Sequence, residues 1–533
     1  MNKSCTVSVR RFSSVVRILV MASVLASGFQ GAAVAQGVSV EQVAFQGDAL
    51  DDGGQFSSFQ SAVINNDGSV AFVGFSGSVA SCSGNSVNLW KSEASVIQEP
   101  VCVGVFSNFG QDTMLNNNGD AIFMGNTWID SESGGRHRVV SNVMAVPDMP
   151  GETFDRYFPP GMNDNGEVNF YASTTDINGP QEQGLWAEFT GEGSLESLVL
   201  EGDPAPGLSL EDAVFTTISQ VHGAISNNGD VAFLARTNDP PPAGKQAQFG
   251  VWSVSRDGTV RKVVAQKDPM PGSAGNFFTT SSRPPSINAK GEVALVGITT
   301  ISGEGGVWAE RWNETSQQYE LLNVIIAKTN IQISETTAWA PLEFHAPAIN
   351  SNGDVGFVGC RQSSTSRVCG IVRATWNGSG YDHQAIVADF RIPGARRDGL
   401  GAGLVIGDKT KFNMNAQGLF AFQAQTDTHG PAWGLWGWRP DIGLRRVYLA
   451  GTPFRMPSGE TRTVYNDITK RATLVATGGE DGRQKILNDS GLVVFVIVFV
   501  AEPPDTIRRQ GVFIGDLNDT IFLDSLEWRW SPD

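Results

Sequence analysis

Histidine, cysteine and charged residues are all scarce in this sequence. The 533 residues include five His and five Cys, and Asp, Glu, Lys and Arg together make up 17% of the chain. No two His residues have the H-E-x-x-H spacing of a zinc protease, and neither the G-x-S-x-G elbow nor the G-x-x-x-x-G-K-S/T phosphate loop occurs. The sequence therefore lacks the usual marks of metalloprotease, serine hydrolase and nucleotide-hydrolysing enzymes.

Basic residues are outnumbered, and several of them lie at the very start of the chain. Lys3, Arg10, Arg11 and Arg17 precede an apolar stretch at residues 18–29 and small residues at 32–35. This order predicts a secretory signal peptide over residues 1–35, cleaved after Ala-Val-Ala. A membrane anchor is the rival interpretation, but the apolar run is shorter than the roughly 20 residues that a spanning helix needs. We expect a secreted or periplasmic protein that begins near Gln36.

Acidic residues dominate the charge of the remaining chain. Asp and Glu number 55 against 38 Lys and Arg, for a formal net charge of −17, and removal of the four N-terminal cations makes it −21. A field of this sign repels phosphate backbones, so nucleic acid is not an expected partner. Solvation of the folded protein is the favoured explanation of the charge, and affinity for divalent cations is the alternative.

Four cysteines remain after Cys5 leaves with the signal peptide. Cys82, Cys102, Cys360 and Cys369 form an even set, which in an oxidising compartment predicts two disulfides. Three connectivities are open, and we favour the two local pairs because Cys360 and Cys369 flank a short polar loop as hairpin partners would. Zinc is the rival ligand, but the CxxC or His spacing that it needs is absent.

Eight copies of one short motif recur through the chain, each an N-x-x-G turn followed by an apolar run. They occupy residues 64–74, 115–125, 162–172, 225–235, 287–297, 349–359, 414–424 and 487–497. Their spacings run from 47 to 73 residues, with a mean of about 60. The first and fourth turn residues are Asn65 and Gly68, Asn116 and Gly119, Asn163 and Gly166, Ser226 and Gly229, Asn288 and Gly291, Asn350 and Gly353, Asn415 and Gly418, and Asn488 and Gly491.

The chemistry of each copy predicts a tight β-hairpin. The Asn side chain can accept a hydrogen bond from the backbone two residues on, and Gly supplies the positive φ of a type I turn with a bulge. Ser226, in the fourth copy, can make the same bond. The strand after the turn is apolar on both faces: Val70 and Phe72 point one way, Ala71 and Val73 the other. Both faces must therefore be covered, as in a blade stacked between two neighbours.

Two further elements recur around each turn. A Gly-apolar-Trp strand follows it, and we interpret its Trp residues as packing between blades rather than as a sugar-binding surface. The second copy offers only Val139 and Val140 at this place and predicts a reduced blade. An acidic Pro-Gly loop precedes several turns, at residues 46–48, 146–151, 201–207 and 267–272. Each unit then has about four strands, which is one propeller blade.

The predicted fold is an all-β propeller of about eight four-stranded antiparallel blades, with seven as the alternative, forming a single domain over residues 36–533. Residues 520–523 could pair with the N-terminal strand and close the ring. An open solenoid is the other alternative, but long units of varying length suit closed blades better. The apolar stretch at residues 492–501 is too short to span a membrane and occupies the strand position of the eighth copy.

The tandem copies resemble a family of exported bacterial proteins described by N-x-x-G-x-x-A-F repeats, and the resemblance covers nearly all of residues 40–515. Members of that family often end in a sorting or anchoring segment. Residues 528–533 depart from that pattern, since they follow neither a hydrophobic tail nor a basic cluster. The resemblance implies a propeller-like fold and free secretion or periplasmic residence, and it transfers no catalytic residues.

The leading functional hypothesis is a non-catalytic binding or scaffolding module, because packing explains the repeats and no catalytic residues can be selected. A carbohydrate-active or other hydrolytic propeller enzyme is the alternative. No cofactor or metal is expected, with calcium at the turns as a less favoured alternative, since D-x-[DN]-x-[DN]-G is not satisfied. The expected partner is an unidentified extracellular glycan or protein, and the chain is expected to be a monomer without a membrane span. His222 and His345, just before repeat turns, are predicted to be surface residues.

Overall fold

The computed structural model describes residues 38–50, 54–76, 86–93, 96–97, 101–102, 113–123, 128–131, 135–175, 182–189, 194–219, 223–239, 248–279, 284–362, 366–389, 391, 403–427, 432–465, 477–501 and 507–519. The predicted signal peptide and its cleavage site lie outside these residues. All regular secondary structure in the described part is β-strand, and none of its elements is a helix that could cross a membrane.

The strands follow the repeats along the chain. They are β1 Ser39–Phe45, β2 Phe56–Ile64, β3 Val70–Ser76, β4 Ser86–Glu93, β5 Val96–Ile97, β6 Val101–Cys102, β7 Met114–Leu115, β8 Ala121–Phe123, β9 Trp128–Ser131, β10 Gly135–Arg138, β11 Thr153–Tyr157, β12 Gly161–Met162, β13 Val168–Thr175, β14 Gln183–Glu188, β15 Leu195–Leu200, β16 Phe215–Ile218, β17 Val231–Thr237, β18 Gln248–Val254, β19 Val260–Ala265, β20 Phe277–Thr279, β21 Ser286–Ile287, β22 Val293–Thr299, β23 Gly305–Asn313, β24 Gln318–Ile326, β25 Ile331–Ser334, β26 Thr337–Trp339, β27 Glu343–Ile349, β28 Val355–Gln362, β29 Arg367–Trp376, β30 Tyr381–Ala388, β31 Leu404–Val405, β32 Phe412–Met414, β33 Phe420–Thr426, β34 Ala432–Arg439, β35 Gly443–Leu449, β36 Pro453–Arg455, β37 Thr461–Thr463, β38 Leu492–Val498 and β39 Gln510–Asp516.

These strands form eight antiparallel blades, so the predicted all-β propeller is confirmed. Blades 1 to 7 are built in chain order from β2–β6, β7–β10, β11–β15, β16–β19, β20–β24, β27–β30 and β31–β35. The eighth contains β38, β39 and β1. Two small hairpins, β25–β26 and β36–β37, lie outside the blades. In blades 1 to 7 the N-x-x-G turn comes directly before the second strand, and a Gly-apolar-Trp sequence lies in the third strand of blades 3, 4, 5 and 7.

The ring is closed by the first described strand of the chain. β1 pairs antiparallel with β39, with Ser39 opposite Asp516 and Phe45 opposite Gly511. An N-terminal strand thereby completes the last blade and covers an edge that would otherwise present unpaired backbone groups. Residues 520–523, the predicted closing segment, lie outside the described residues, and the partner that the structure gives to β1 is β39.

The second strand of each blade is buried on both faces, as the sequence pattern predicted. Val70, Ala71, Phe72 and Val73 of β3 are all at most 3% exposed. The recurrent Trp residues are buried as well: Trp186, Trp252, Trp308 and Trp436 are 0% exposed. Phe residues of the first strand meet them edge-on, as in the pair of Phe215 and Trp252, whose ring centroids lie 5.1 Å apart. These tryptophans are part of the core and present no surface to a sugar.

The second blade has short strands, but its third strand differs from the prediction. β9, Trp128–Ser131, pairs with both β8 and β10. Val139 and Val140 come after β10 and are buried in the core beside blade 3. The prediction that these two valines replace the Gly-apolar-Trp strand is therefore wrong, because β9 already holds the third-strand position and begins only nine residues after Gly119.

The disulfide prediction is confirmed for one pair. Cys360 and Cys369 are bonded, and they lie directly opposite each other on β28 and β29. Cys82 lies outside the described residues. His345, predicted to be a surface residue, is instead 3% exposed in β27, where its Nε2 lies 3.0 Å from an Arg367 nitrogen. His222 lies outside the described part of the chain.

Candidate functional site

The eight N-x-x-G turns meet around the axis of the ring. All eight turn glycines have positive φ, between +70° and +88°. In the first turn the Asn65 side chain accepts a hydrogen bond of 2.9 Å from the Ser69 backbone N–H, and the Gly68 N–H donates to the Asn65 carbonyl at 3.1 Å. The neighbouring blade approaches closely, since a Cβ at Gly291 would lie 2.3 Å from Asp230 Oδ2. Glycine is thus required both by the turn and by the packing.

A ring of asparagine side chains joins successive turns. In six of the turns the Asn uses its side-chain oxygen inside its own turn and donates its amide to the backbone carbonyl of the next turn. The bonds are Asn116 to Asn163 at 3.2 Å, Asn163 to Ser226 at 2.8 Å, Asn288 to Asn350 at 2.9 Å, Asn350 to Asn415 at 3.2 Å, Asn415 to Asn488 at 2.7 Å and Asn488 to Asn65 at 3.1 Å. The Asn of the motif is therefore a turn cap and an inter-blade contact at once.

The second residue of each turn forms another layer around the axis. Its backbone N–H donates to the side-chain oxygen of the second residue in the next turn. The bonds are Asn66 to Asn117 at 2.9 Å, Asn117 to Asp164 at 3.1 Å, Asp164 to Asn227 at 3.1 Å, Ala416 to Asp489 at 2.9 Å and Asp489 to Asn66 at 3.0 Å. The side-chain acceptor of this pattern is interrupted at residues 289, 351 and 416, where the sequence has Ala, Ser and Ala in place of Asn or Asp.

A segment just before the eighth turn fills the centre of the ring. We call residues 478–485, Gly-Gly-Glu-Asp-Gly-Arg-Gln-Lys, the axial segment. Its backbone carbonyls accept hydrogen bonds from the residue that precedes the turn in four blades. The bonds are Ile64 to Lys485 at 3.0 Å, Met162 to Gly482 at 2.8 Å, Ile225 to Asp481 at 3.0 Å and Met414 to Gly478 at 3.0 Å. The segment thereby pairs inner-strand edges that would otherwise be open.

Side chains of the axial segment anchor it on the other side of the ring. Arg483 donates to Asp481 Oδ2 at 3.0 Å and to the Pro285 carbonyl at 2.8 Å. Ser286 donates to the same Asp481 oxygen at 3.0 Å. Arg483 and Asp481 are nearly fully buried, so their charges are paired where water cannot solvate them.

Glu480 is the unusual acid of the axial segment. The Ser351 hydroxyl donates a hydrogen bond to its carboxylate. Burial raises the pKa of the Glu480 carboxyl. The hydrogen bond from Ser351 and the nearby charge of Lys485 oppose this rise, and the neighbouring Asp489 carboxylate adds to it. A carboxyl group in such surroundings holds its proton more readily than one in water.

The axial segment leaves a cavity of about 160 Å³ against the turns. Its polar lining comes from the second turn residues and from the segment itself, and Met114, Leu115 and Met162 supply apolar surface. None of the lining residues in the described part of the chain is aromatic. The cavity presents amides, carboxylates and cationic groups together, which suits a small polar ligand.

The predicted turn residues therefore converge at one place, and among them Asn116 and Asn163 line the cavity directly. Sequence reasoning missed the axial segment. The signal for it was the spacing of 73 residues between Asn415 and Asn488, the longest in the series, together with a polar Gly-rich run directly before the eighth turn. Cys360 and Cys369 lie away from the cavity, in the middle strands of blade 6.

Residues outside the axis hold neighbouring blades together by charge. Arg261 of blade 4 makes two hydrogen bonds to Glu310 of blade 5, at 2.5 and 2.9 Å. His137 of blade 2 lies 2.6 Å from Glu188 of blade 3. The hydrogen bond to Glu188 raises the pKa of His137, and burial opposes this rise. No group of three or more metal-ligating side chains is present among the residues that the structure describes.

Comparison with known families gives two matches to one family. The profile of a family of unknown function, DUF7453, matches residues 126–318 and again residues 316–517. Each match contains three of the N-x-x-G turns, so the family unit corresponds to about three blades rather than to a closed ring. No curated protein matches the sequence significantly.

Several solved structures, one of them a β-propeller domain, are similar to the chain at low identity. The β-propeller domain of the Trilobed protease from Pyrococcus furiosus, which has an open velcro topology, is 10% identical with a TM-score of 0.37, over 74% of this chain and 98% of that one. A polysaccharide lyase, the PL25 ulvan lyase, is 8% identical with a TM-score of 0.32, over 74% and 94%. The acylaminoacyl peptidase of Pyrococcus horikoshii is 11% identical with a TM-score of 0.37, over 74% and 52%.

Proposed function

Because the chain belongs to DUF7453, a family without a known function, we propose its role from the geometry of the ring: an exported, non-catalytic binding module whose ligand occupies the axial cavity. The Cys360–Cys369 disulfide supports an exported protein, because disulfides persist in oxidising compartments. A rigid ring of eight blades supports a preformed site, because ligand binding then orders little of the protein.

The observation that carries the proposal is that the turn carboxylates in the cavity are structural acceptors. Asp164 accepts hydrogen bonds from the Asn117 backbone N–H at 3.1 Å and from the Asn227 amide at 3.0 Å. Asp489 accepts likewise from Ala416 and from the Asn66 amide, at 2.9 and 2.5 Å. A carboxylate that takes up a proton during catalysis would weaken bonds that hold the blades together. These two acids thus stabilise the site and orient its polar groups.

The experiment is a binding screen followed by product analysis. Purified protein from residue 36 onward is applied to a glycan array and to a panel of small polar compounds, with thermal shift as the readout. Ala289→Phe should fill the cavity and abolish the shift. Ala416 holds the same turn position but does not line the cavity, so Ala416→Phe is the matched control and should retain the shift. Mass spectrometry of the ligand after long incubation should show it unchanged.

A hydrolytic enzyme is the second candidate, and Glu480 is the observation that favours it. Its raised pKa, the nearby Asp489 carboxylate and its place in the cavity are what a general acid requires. If the wild-type protein forms a product, and Glu480→Gln still binds the ligand but forms none, the protein is a hydrolytic enzyme and not a non-catalytic binding module. Unchanged ligand in both proteins would exclude it.

A further inference from the structure

The second layer of the turn ring has a gap on one side. In five turns the backbone N–H of the second residue donates to a side-chain oxygen of the next turn. In a sixth, the Ser351 N–H donates to the Glu480 carboxylate, which supplies the oxygen that Ala416 lacks. The two remaining turns are neighbours, and their second residues are Asn227 and Ala289.

Neither of these two N–H groups has an acceptor within the described residues. The turn that follows Asn227 carries Ala289, whose methyl group cannot accept a hydrogen bond. The turn that follows Ala289 carries Ser351, whose hydroxyl is turned toward Glu480 as a donor and accepts no hydrogen bond from Ala289 within the described residues. Asn227 and Ala289 are both half-buried and both line the axial cavity. Because both residues line the cavity, whatever occupies the cavity must supply the acceptor for these two N–H groups.

A cationic side chain lines the same cavity. Lys485, at the end of the axial segment, is half-buried, and its positive charge attracts the Glu480 carboxylate beside it. The two N–H groups and the ammonium group are donors. Asp164, Asp489 and Glu480 place carboxylates in the same cavity as acceptors. The cavity is thus equipped for a ligand that both accepts and donates hydrogen bonds.

We infer that the axial cavity binds a small carboxylic acid that also carries a hydroxyl or ammonium group, an inference that rests on the proposed function. Its carboxylate takes the place of the missing side-chain oxygen at residue 289, as the carboxylates of Asp164 and Asp489 do elsewhere in the ring. A volume of about 160 Å³ accommodates a ligand of roughly six to ten non-hydrogen atoms. The absence of an aromatic lining residue argues against a stacked sugar ring.

The test compares glycerate with glycerol, two polyols that differ in the carboxylate, by isothermal titration calorimetry. We expect saturable binding of glycerate and at least tenfold weaker binding of glycerol. Ala289→Asn places a side-chain oxygen in the gap and should weaken glycerate binding at least tenfold while raising the midpoint of thermal unfolding. Ala416→Asn is the matched control, because Glu480 already occupies the acceptor position beside it, and it should leave glycerate binding unchanged.

Lys485→Met keeps a similar shape without the charge and should weaken glycerate binding without affecting glycerol. Equal affinity for glycerate and glycerol would overturn the inference of a carboxylate ligand and leave the cavity as a binding site. Glycerate binding that persists in Ala289→Asn, or no glycerate binding at all, would overturn the inference too. Two other results would overturn the proposed function itself: conversion of the ligand to a product, or ligand binding by Ala289→Phe.

Discussion

The side-chain amide of Asn488 donates a hydrogen bond of 3.1 Å to the backbone carbonyl of Asn65, across 423 residues of sequence. This bond joins the last turn to the first at the axis. The pairing of β1 with β39 joins the same ends of the chain within the eighth blade. The ring is therefore closed at two places: by the Asn488 side chain at the axis and by backbone pairing of β1 with β39 in the eighth blade.

Substitutions of Asn488 should separate its two roles. Its oxygen accepts from the Leu492 N–H at 2.8 Å, and its amide reaches Asn65. Asn488→Ala removes both bonds and should lower the free energy of unfolding by about 2–3 kcal/mol. Asn488→Ser should cost only about 1 kcal/mol, because a hydroxyl can cap the turn as Ser226 does. Denaturant unfolding measures both, and a serine variant as stable as the parent would show that the inter-blade bond contributes nothing.

Gly353→Ala should be far more costly than the same change at Gly378. Both residues have positive φ, +82° and +95°, so both variants bear the strain of a left-handed alanine. Nothing lies within 4 Å of a Cβ at Gly378, whereas one at Gly353 would lie 1.5 Å from Arg311 Nη1. Arg311 would have to leave Glu292, its partner at 2.8 Å. We expect a loss of about 1–2 kcal/mol for Gly378→Ala and about 3 kcal/mol or more for Gly353→Ala. Equal losses would show that Arg311 can move freely.

The axial segment should be displaced by a single methyl group at Gly479. A Cβ there would lie 2.2 Å from the Met414 carbonyl oxygen, which is backbone and cannot move aside. Gly479→Ala should increase amide hydrogen exchange throughout residues 478–485 and lower the thermal midpoint. Gly407, with no atom closer than 4.0 Å to the new methyl group, is the control, and Gly407→Ala should change neither. Unaltered exchange in Gly479→Ala would contradict the assigned packing of the segment.

Stability should depend on pH through the contact between His137 and Glu188. The hydrogen bond to Glu188 raises the pKa of His137 in the folded protein above the value near 6.5 expected for the unfolded chain. The protonated pair therefore contributes its full stabilisation below about pH 6.5 and loses it as the pH rises through the folded-state pKa. His137→Gln should be more destabilising at pH 5.5 than at pH 9, as measured by thermal unfolding at both. A difference that does not change with pH would refute the pairing.

The repeat and its turn could be recognised from the sequence because both depend on local chemistry. Asn65 and Gly68 are the first and fourth residues of one turn and form it from their own backbone and side chains. The uninterrupted apolar run from Val70 to Val73 likewise showed that both faces of this strand are covered. Cys360 and Cys369 could be paired because only a short polar loop separates them. None of these inferences requires knowing which residues from distant parts of the chain pack nearby.

The number of strands in the ring and the place of each turn in it were decided by the tertiary structure. Asn488 can cap a turn in any fold, but its bond to Asn65 exists only because the ring closes. The axial segment is a polar Gly-rich run whose role depends on inner strands from several blades. The 73-residue spacing before Asn488 indicates extra residues there, but it does not indicate which strands they pair with. The sequence by itself determined an all-β repeat with capped hairpins, since those features are local. The cavity, the N–H groups of Asn227 and Ala289 that have no acceptor in the described part of the chain, and the acids around them arose only when distant turns were brought to one axis.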